Sequence, residues 1–230
     1  KITPDELTKI DDAKKKLEEV LKGNDSDAIK NASAELGDIF QGQGDYWQLT
    51  RGGGHGDYRT IVLAPSSVQE NADLAYLAFD LAEKYRHPVL IGSDAAIGQM
   101  VEPVELPEMR EHDINTYDWA IRPRKAGEDQ KVIWNTYYTI GADAYMDYLK
   151  EKYATIEANE QRWENVQTDD AEIVLVAYGI SSRVCKAAVK KARAQGIKLG
   201  LIRPITLWPY PQKAFDALGD QVKGFLVVEM

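Results

Sequence analysis

Short, uniformly apolar runs alternate with capped helices in two separate stretches of this chain, and no other feature of the sequence restricts its fold as much. Ile61-Val62-Leu63-Ala64 reads as a buried strand that Pro65 ends. Ser67-Val68-Gln69-Glu70 has the spacing of a capping box and opens a helix expected to run to about Tyr85. Val89-Leu90-Ile91 is the next strand, closed by Gly92-Ser93-Asp94. Strand, helix, strand with short links implies a parallel pair joined by a right-handed crossover. The pattern returns near the carboxyl end, with strands over 173–177 and 197–202, a helix from about Ser182 to Gln195 ended by Gly196, a rigid turn at Trp208-Pro209-Tyr210-Pro211, a helix over 212–218 and a third strand over 225–228. The expected class is α/β, with open parallel sheets.

The remaining segments are less regular. Residues 1–41 read as a helical hairpin. Thr3-Pro4-Asp5-Glu6 supplies a cap, Leu7, Ile10, Leu17, Val20 and Leu21 recur at helical spacing, and Ile29, Ala32, Leu36, Ile39 and Phe40 follow after Gly23. Its apolar stripe is narrow and needs a partner surface. Residues 106–168 read as a connector broken early by prolines. A helix is expected from about Ala142 to Trp163, whose charges (Lys150, Glu151, Lys152, Glu157, Glu160, Arg162) form a solvated face. The domain scheme is therefore 1–41, foreign to the rest; 42–105; the connector 106–168; and 169–230. Phe225-Leu226-Val227-Val228-Glu229-Met230 reads as a strand with nothing after it, so the sequence is expected to be truncated or assembled.

Composition narrows the function classes. A net charge of -9 with no long basic run argues against a nucleic-acid surface. No apolar run approaches the ~20 residues of a membrane span, and no signal-peptide pattern is present. The single cysteine, Cys185, excludes a four-cysteine metal or iron–sulfur site within the chain, reads as a core residue, and suits a reducing cytoplasm.

The richest local cluster is Gly52-Gly53-Gly54-His55-Gly56-Asp57, preceded by Thr50 and Arg51. Glycines let a backbone approach a ligand and turn its N–H groups toward an anion, yet the cluster has neither a P-loop lysine nor dinucleotide-fingerprint spacing, so a plain turn fits as well. Arg51 can hold a carboxylate through a bidentate pair or be a surface arginine. His55 can donate to a ligand oxygen or be polar surface. His87, beside Pro88, reads as structural; His112 carries no signal. Gly179-Ile180-Ser181-Ser182-Arg183 offers an anion site at a helix N-terminus, or simply a cap from Ser181 or Ser182, and the cap is the expected reading.

In combination these words resemble a known family. Gly44-Asp45-Tyr46-Trp47-Gln48, Thr50-Arg51-Gly52-Gly53-Gly54-His55-Gly56-Asp57-Tyr58, Val62-Leu63-Ala64-Pro65-Ser66-Ser67-Val68-Gln69-Glu70 and Arg203-Pro204-Ile205-Thr206-Leu207-Trp208-Pro209-Tyr210-Pro211 resemble the α subunit of 2-oxoacid:ferredoxin oxidoreductases, of the branched-chain (3-methyl-2-oxobutanoate) or 2-oxoglutarate type, over residues 42–230. The resemblance implies a truncated pyrimidine-type domain of a thiamine-diphosphate enzyme, followed by a transketolase C-terminal-like domain. It implies oxidative decarboxylation of a 2-oxoacid to an acyl-CoA, with thiamine diphosphate shared with a β subunit and coenzyme A as co-substrate. Mg2+ and iron–sulfur clusters would lie on partner subunits, and the β subunit, a ferredoxin-like subunit and ferredoxin would be the partners. Arg51 would bind the substrate carboxylate with Thr50 and His55 beside it, and Gly52, Gly53 and Gly54 would approach the cofactor. No catalytic residue is assigned.

The departure from the family lies before Gly42. The first strands of the pyrimidine domain, and the glutamate that activates the aminopyrimidine, are expected there, whereas Leu17-Glu18-Glu19-Val20-Leu21-Lys22-Gly23-Asn24-Asp25 resembles the helical lid of DnaK-type chaperones. A recombined or engineered chain would explain both halves, and the chain alone would be inactive. The competing expectations are a non-enzymatic helical binding module built on the hairpin, and a transketolase-type enzyme without ferredoxin.

Overall fold

The computed structural model describes residues 45–52, 56–109, 113 and 116–229, with Thr8, Asp12, Lys15, Lys16 and Glu19 as isolated helical positions. The expected hairpin over 1–41, together with Gly53, Gly54, His55 and His112, therefore falls outside the described residues. In chain order the elements are α1 (Tyr46–Arg51), β1 (Ile61–Leu63), α2 (Val68–Tyr85), β2 (Val89–Ile91), α3 (Ala95–Gln99), α4 (Thr136–Ile140) and α5 (Ala142–Asn159). There follow β3 (Trp163–Val166), β4 (Ile173–Val176), α6 (Gly179–Ala194), β5 (Leu199–Pro204), β6 (Thr206–Trp208), α7 (Gln212–Asp216) and β7 (Gly224–Val227).

Local signals account for the first unit. Ser67 accepts the Glu70 N–H on its side chain and starts α2, and Arg86 ends that helix in a left-handed conformation (φ 44°). Leu74 and Leu81 point inward and pack with the fully buried Ile61, Val62 and Leu63. Each such side chain contributes roughly 1.5–3 kcal/mol when taken from water. β1 and β2 run parallel, Ile61 opposite Val89 and Leu63 opposite Ile91, as the βαβ pattern requires. The third strand of this sheet comes from far along the chain. β6 pairs antiparallel with β1, Val62 opposite Trp208, giving the order β2-β1-β6.

The second sheet has the order β3-β5-β4-β7, with β4 parallel to both β5 and β7. On one face Cys185 and Val189 of α6 pack on Leu175 and Leu201; on the other, Val174 and Ile202 meet Ala214 of α7. The α/β class holds, and Cys185 is buried as expected, its thiol pushed up by burial. No helix among the described residues is long and apolar enough to cross a membrane.

Three local expectations are corrected. The connector helix stops at Asn159, and Trp163–Val166 is a strand paired antiparallel with β5, Trp163 opposite Pro204. Helical periodicity could not reveal this edge, because its partner lies about forty residues on and Trp163 packs inward beside Ala214. The solvated face fails at Glu160, which is only 2% exposed. Its carboxylate accepts from Lys84 Nζ at 2.7 Å and from the Tyr85 hydroxyl on one oxygen, and from Arg162 on the other. Finally, neither Ser181 nor Ser182 caps α6. That helix begins at Gly179, so both serines lie inside its first turn, and the Ile180 N–H donates 2.7 Å to Asp94 Oδ2. Asp94 Oδ1 simultaneously accepts the Ile97 N–H and caps α3. The helix N-terminus is thus filled by the chain's own carboxylate.

His87 is structural, as expected, and carries a pH signature. It is 8% exposed, with its Nε2 buried and lacking a partner. Burial, reinforced by the nearby Lys152 charge, pushes its pKa down to about 4, against the pull of a hydrogen bond with the Arg59 backbone. The unfolded chain takes up this proton near pH 6.5 and the folded chain only near 4. Stability from this group is therefore complete above pH 6.5, falls between 6.5 and 4, and levels off below, a loss of roughly 3 kcal/mol. Urea unfolding of the His87→Gln variant should show a flatter slope between pH 6.5 and 4.5, above the range where carboxylates protonate. An identical slope in the variant would refute the assignment.

Candidate functional site

A cavity of about 670 Å3 opens where α1, β6 and the carboxyl ends of β4 and β7 converge. The carboxyl edge of a parallel sheet is where open α/β folds place ligands, because the chain leaves the strands there in loops and helix starts. α1 forms one wall. Leu49 on its inner face packs within reach of Gly92, where an added Cβ would stand 3.3 Å from Leu49 Cδ1 and 3.4 Å from Val62 Cγ1. The helix is thereby seated over the ends of β1 and β2, and its Tyr46, Trp47, Thr50 and Arg51 line the cavity. Tyr46 meets Tyr178 edge-on at 6.0 Å, and Leu207, Trp208 and Tyr210 form the opposite wall.

Two cations line this aromatic space. Arg51 lies 5.1 Å from the Trp47 ring centroid, a cation–π contact that orients the guanidinium without neutralising it. Arg59 is the other. Arg162, Arg183, Arg193 and Arg203 all have carboxylate partners. Neither Arg51 nor Arg59 has one among the described residues. The Thr50 hydroxyl donates 2.8 Å to the Tyr46 carbonyl, which leaves its lone pairs as acceptors. Gly52 follows with φ 92°, a conformation that favours glycine. A Cβ there would meet only the Tyr58 carbonyl at 3.9 Å, so the conformation sets the requirement rather than space. Burial pushes the Tyr178 hydroxyl well up, with the Glu229 charge adding to it, and burial with Tyr46 does the same to Tyr210. Both phenols stay neutral hydrogen-bond donors at ordinary pH.

Of the residues singled out in the sequence, Thr50, Arg51 and Gly52 are placed on α1 and at its end, the first two in the cavity wall. Gly53, Gly54 and His55 lie outside the described residues. Arg59, Tyr178, Trp208 and Tyr210 were missed. The available signal was the aromatic, proline-rich word at 208–211, which reads as a turn but also supplies a wall.

The molecule is an α/β protein with an aromatic, arginine-bearing cavity at its strand ends. The chain belongs to the pyruvate flavodoxin/ferredoxin oxidoreductase family, whose thiamine-diphosphate-binding domain matches residues 31–168, with pyruvate:ferredoxin oxidoreductase core domain II matching 171–230. It is 49% identical over 205 residues to the ketoisovalerate oxidoreductase subunit VorB of Methanothermobacter thermautotrophicus, covering 88% of this chain and 57% of the relative. It is 34% identical to the 2-oxoglutarate synthase subunit KorA of Methanothermobacter marburgensis, covering 82% and 57%. The chain thus spans little more than half the length of these relatives. In fold it resembles a 2-oxoglutarate:ferredoxin oxidoreductase from Magnetococcus marinus solved with 2-oxoglutarate, coenzyme A and succinyl-CoA, with a TM-score of 0.59 at 19% identity, over 80% of this chain and 37% of that one. The resemblance of the amino-terminal stretch to a chaperone lid is not upheld, and the thiamine-diphosphate-binding match begins at residue 31, inside the stretch 1–41.

Thiamine diphosphate can be tested against the cavity. Its ring system would meet flat aromatic faces at Tyr46, Trp208 and Tyr210. Its diphosphate needs a divalent ion held by carboxylates, and no cluster of three or more His, Cys, Asp or Glu that could hold one occurs among the described residues. The lining suits the ring and substrate side of the cofactor and not its metal-bound pole.

Proposed function

We propose that this chain supplies the substrate-facing wall of a thiamine-diphosphate-dependent 2-oxoacid:ferredoxin oxidoreductase. The single observation that carries this reading is the position of Thr50 and Arg51, an acceptor and a guanidinium with no carboxylate partner among the described residues, side by side in an aromatic cavity. A 2-oxoacid has one carboxylate beside its ketone. Arg51 would grip that carboxylate and Thr50 would border it, holding the ketone toward the cofactor ring. Gly52, Gly53, Gly54 and His55 would form the adjoining loop. The reaction class releases the carboxylate as CO2, passes two electrons to ferredoxin and leaves the acyl group on the thiol of coenzyme A. Thiamine diphosphate supplies the electron sink when bound. A β subunit would hold the diphosphate and Mg2+, and a ferredoxin-like subunit the iron–sulfur clusters, which agrees with the single cysteine of this chain. The relatives' names favour a branched-chain or 2-oxoglutarate substrate.

The test is Arg51→Ala in the assembled multisubunit enzyme. Loss of the carboxylate pair should raise KM for the 2-oxoacid and lower kcat/KM by about 2–5 kcal/mol. An unchanged kcat/KM would remove Arg51 from the site. Viologen reduction by the isolated chain should be undetectable, and measurable turnover would contradict the proposed division of labour.

A further inference from the structure

Arg59 stands at the junction of two cavities. The inner one is the site above; the outer, about 540 Å3, runs along α5 beside Asp57, Met146, Lys150 and Tyr153. Arg59 and Glu157 belong to the walls of both.

The backbone of Arg59 is held by aromatic residues from two other elements. Its N–H donates 3.2 Å to the Tyr153 hydroxyl oxygen, across 94 residues of sequence. The buried His87 ring hydrogen-bonds the Arg59 backbone as well. Tyr153 in turn meets His87 edge-on at 5.8 Å and Trp208, itself part of the inner wall, edge-on at 5.8 Å and 88°. The side chain, by contrast, is exposed, and among the described residues its Nη1 donates only to the neighbouring Tyr58 carbonyl, at 3.2 Å. A guanidinium has five donors, so most of the fork is available. A firmly mounted arginine with no carboxylate partner among the described residues, at the mouth of a ligand cavity, is built to meet an anion.

We propose that Arg59 is a second anion-binding residue of this site, positioned by Tyr153 and His87, and that it takes an anionic oxygen group of a substrate passing between the two cavities. The inference rests on the function proposed above. Two substrates of that reaction carry such groups: the carboxylate of the 2-oxoacid and the phosphates of coenzyme A.

Steady-state kinetics of the assembled enzyme separate the two sources. Arg59→Ala should raise one KM about tenfold or more while kcat stays within about twofold, and Arg59→Lys should recover part of the loss. A rise confined to the 2-oxoacid identifies the carboxylate; a rise confined to coenzyme A identifies phosphate. Tyr153→Phe keeps the ring and removes the oxygen, so the same KM should rise about three- to fivefold with Tm unchanged. Tryptophan fluorescence titration with 3-methyl-2-oxobutanoate and, separately, with coenzyme A should show the matching change in Kd. If both KM values and both Kd values are unchanged in Arg59→Ala, or if Tyr153→Phe lowers Tm without moving KM, the proposal is overturned. Arg51→Ala run in parallel tells the two failures apart. A KM rise there with none in Arg59→Ala removes only the role of Arg59, whereas no effect in either variant removes the parent reading too.

Discussion

Replacing Arg203 with leucine is expected to destabilise the fold by about 3–5 kcal/mol. The side chain is 5% exposed and lies on β5, where its guanidinium pairs with both oxygens of Glu70 at 2.7 Å and donates from Nε to Glu164 at 2.8 Å. Glu70 in turn accepts the Ser66 N–H and hydroxyl at the start of α2. Burial alone would raise the Glu70 carboxyl; the Arg203 and Ser66 contacts outweigh it and hold the group below the usual carboxylate range. Removing the cation strips that compensation and leaves a half-buried charge. The double variant Glu70→Leu/Arg203→Leu should recover much of the loss, since a buried ion pair replaced by apolar groups of similar size is often nearly neutral. Urea denaturation of the two single variants and the double variant measures the coupling. Additive losses would show that the pair is not a unit. The pH sign follows from the lowered Glu70 pKa: its contribution is present above the unfolded carboxyl pKa and is lost as acid protonates it.

Glu160→Leu should have the second-largest effect, about 2–4 kcal/mol. Here one nearly inaccessible carboxylate accepts from Lys84, Tyr85 and Arg162, and so ties the end of α2 to the end of α5 and the start of β3. Burial raises this carboxyl as well, but the three donors prevail and the net direction is down. The loss should be smaller than at Arg203, because Lys84 and Arg162 are 58% and 30% exposed and regain water when the carboxylate goes. Glu160→Gln keeps the shape and two acceptor sites, and should retain more stability than leucine while losing the acid-dependent part. Thermal unfolding at pH 7 and pH 4 tests this: a glutamine variant as acid-sensitive as the parent would exclude Glu160 as a source of that sensitivity.

Elements whose cause is local were legible in the sequence. β1, α2 and β2 follow from two uniformly apolar runs and a serine cap, and β4, α6, β5 and β7 from a similar pattern repeated. What escaped notice depends on distant partners. β3 and β6 are short strands whose pairing is antiparallel to strands elsewhere in the chain, and neither has the length or alternation that marks a strand by itself. Glu70 was recognisable as a capping-box residue, yet both of its carboxylate oxygens also accept from Arg203, 133 positions away. The cap of α6 was sought in Ser181 and Ser182, while the carboxylate that performs it, Asp94, is 86 positions upstream. In the candidate site, Thr50 and Arg51, singled out in the sequence, both line the cavity. Arg59 carried no mark of its own, because what distinguishes it is the hydroxyl of Tyr153 and the burial of His87.

The placement of β6 has a consequence for how the molecule is made. β5 ends at Pro204 in one sheet, and two residues later the chain begins pairing with β1 in the other. The small sheet therefore waits, during synthesis, for a strand that lies far downstream of β1 and β2, and the β1–β2 pair must persist with that edge unpaired until then. Its closure is a long-range event with a large loop entropy, so it belongs late in folding. The wall carrying Leu207 and Trp208 arrives with it, which means the ligand cavity is assembled only as both sheets lock together.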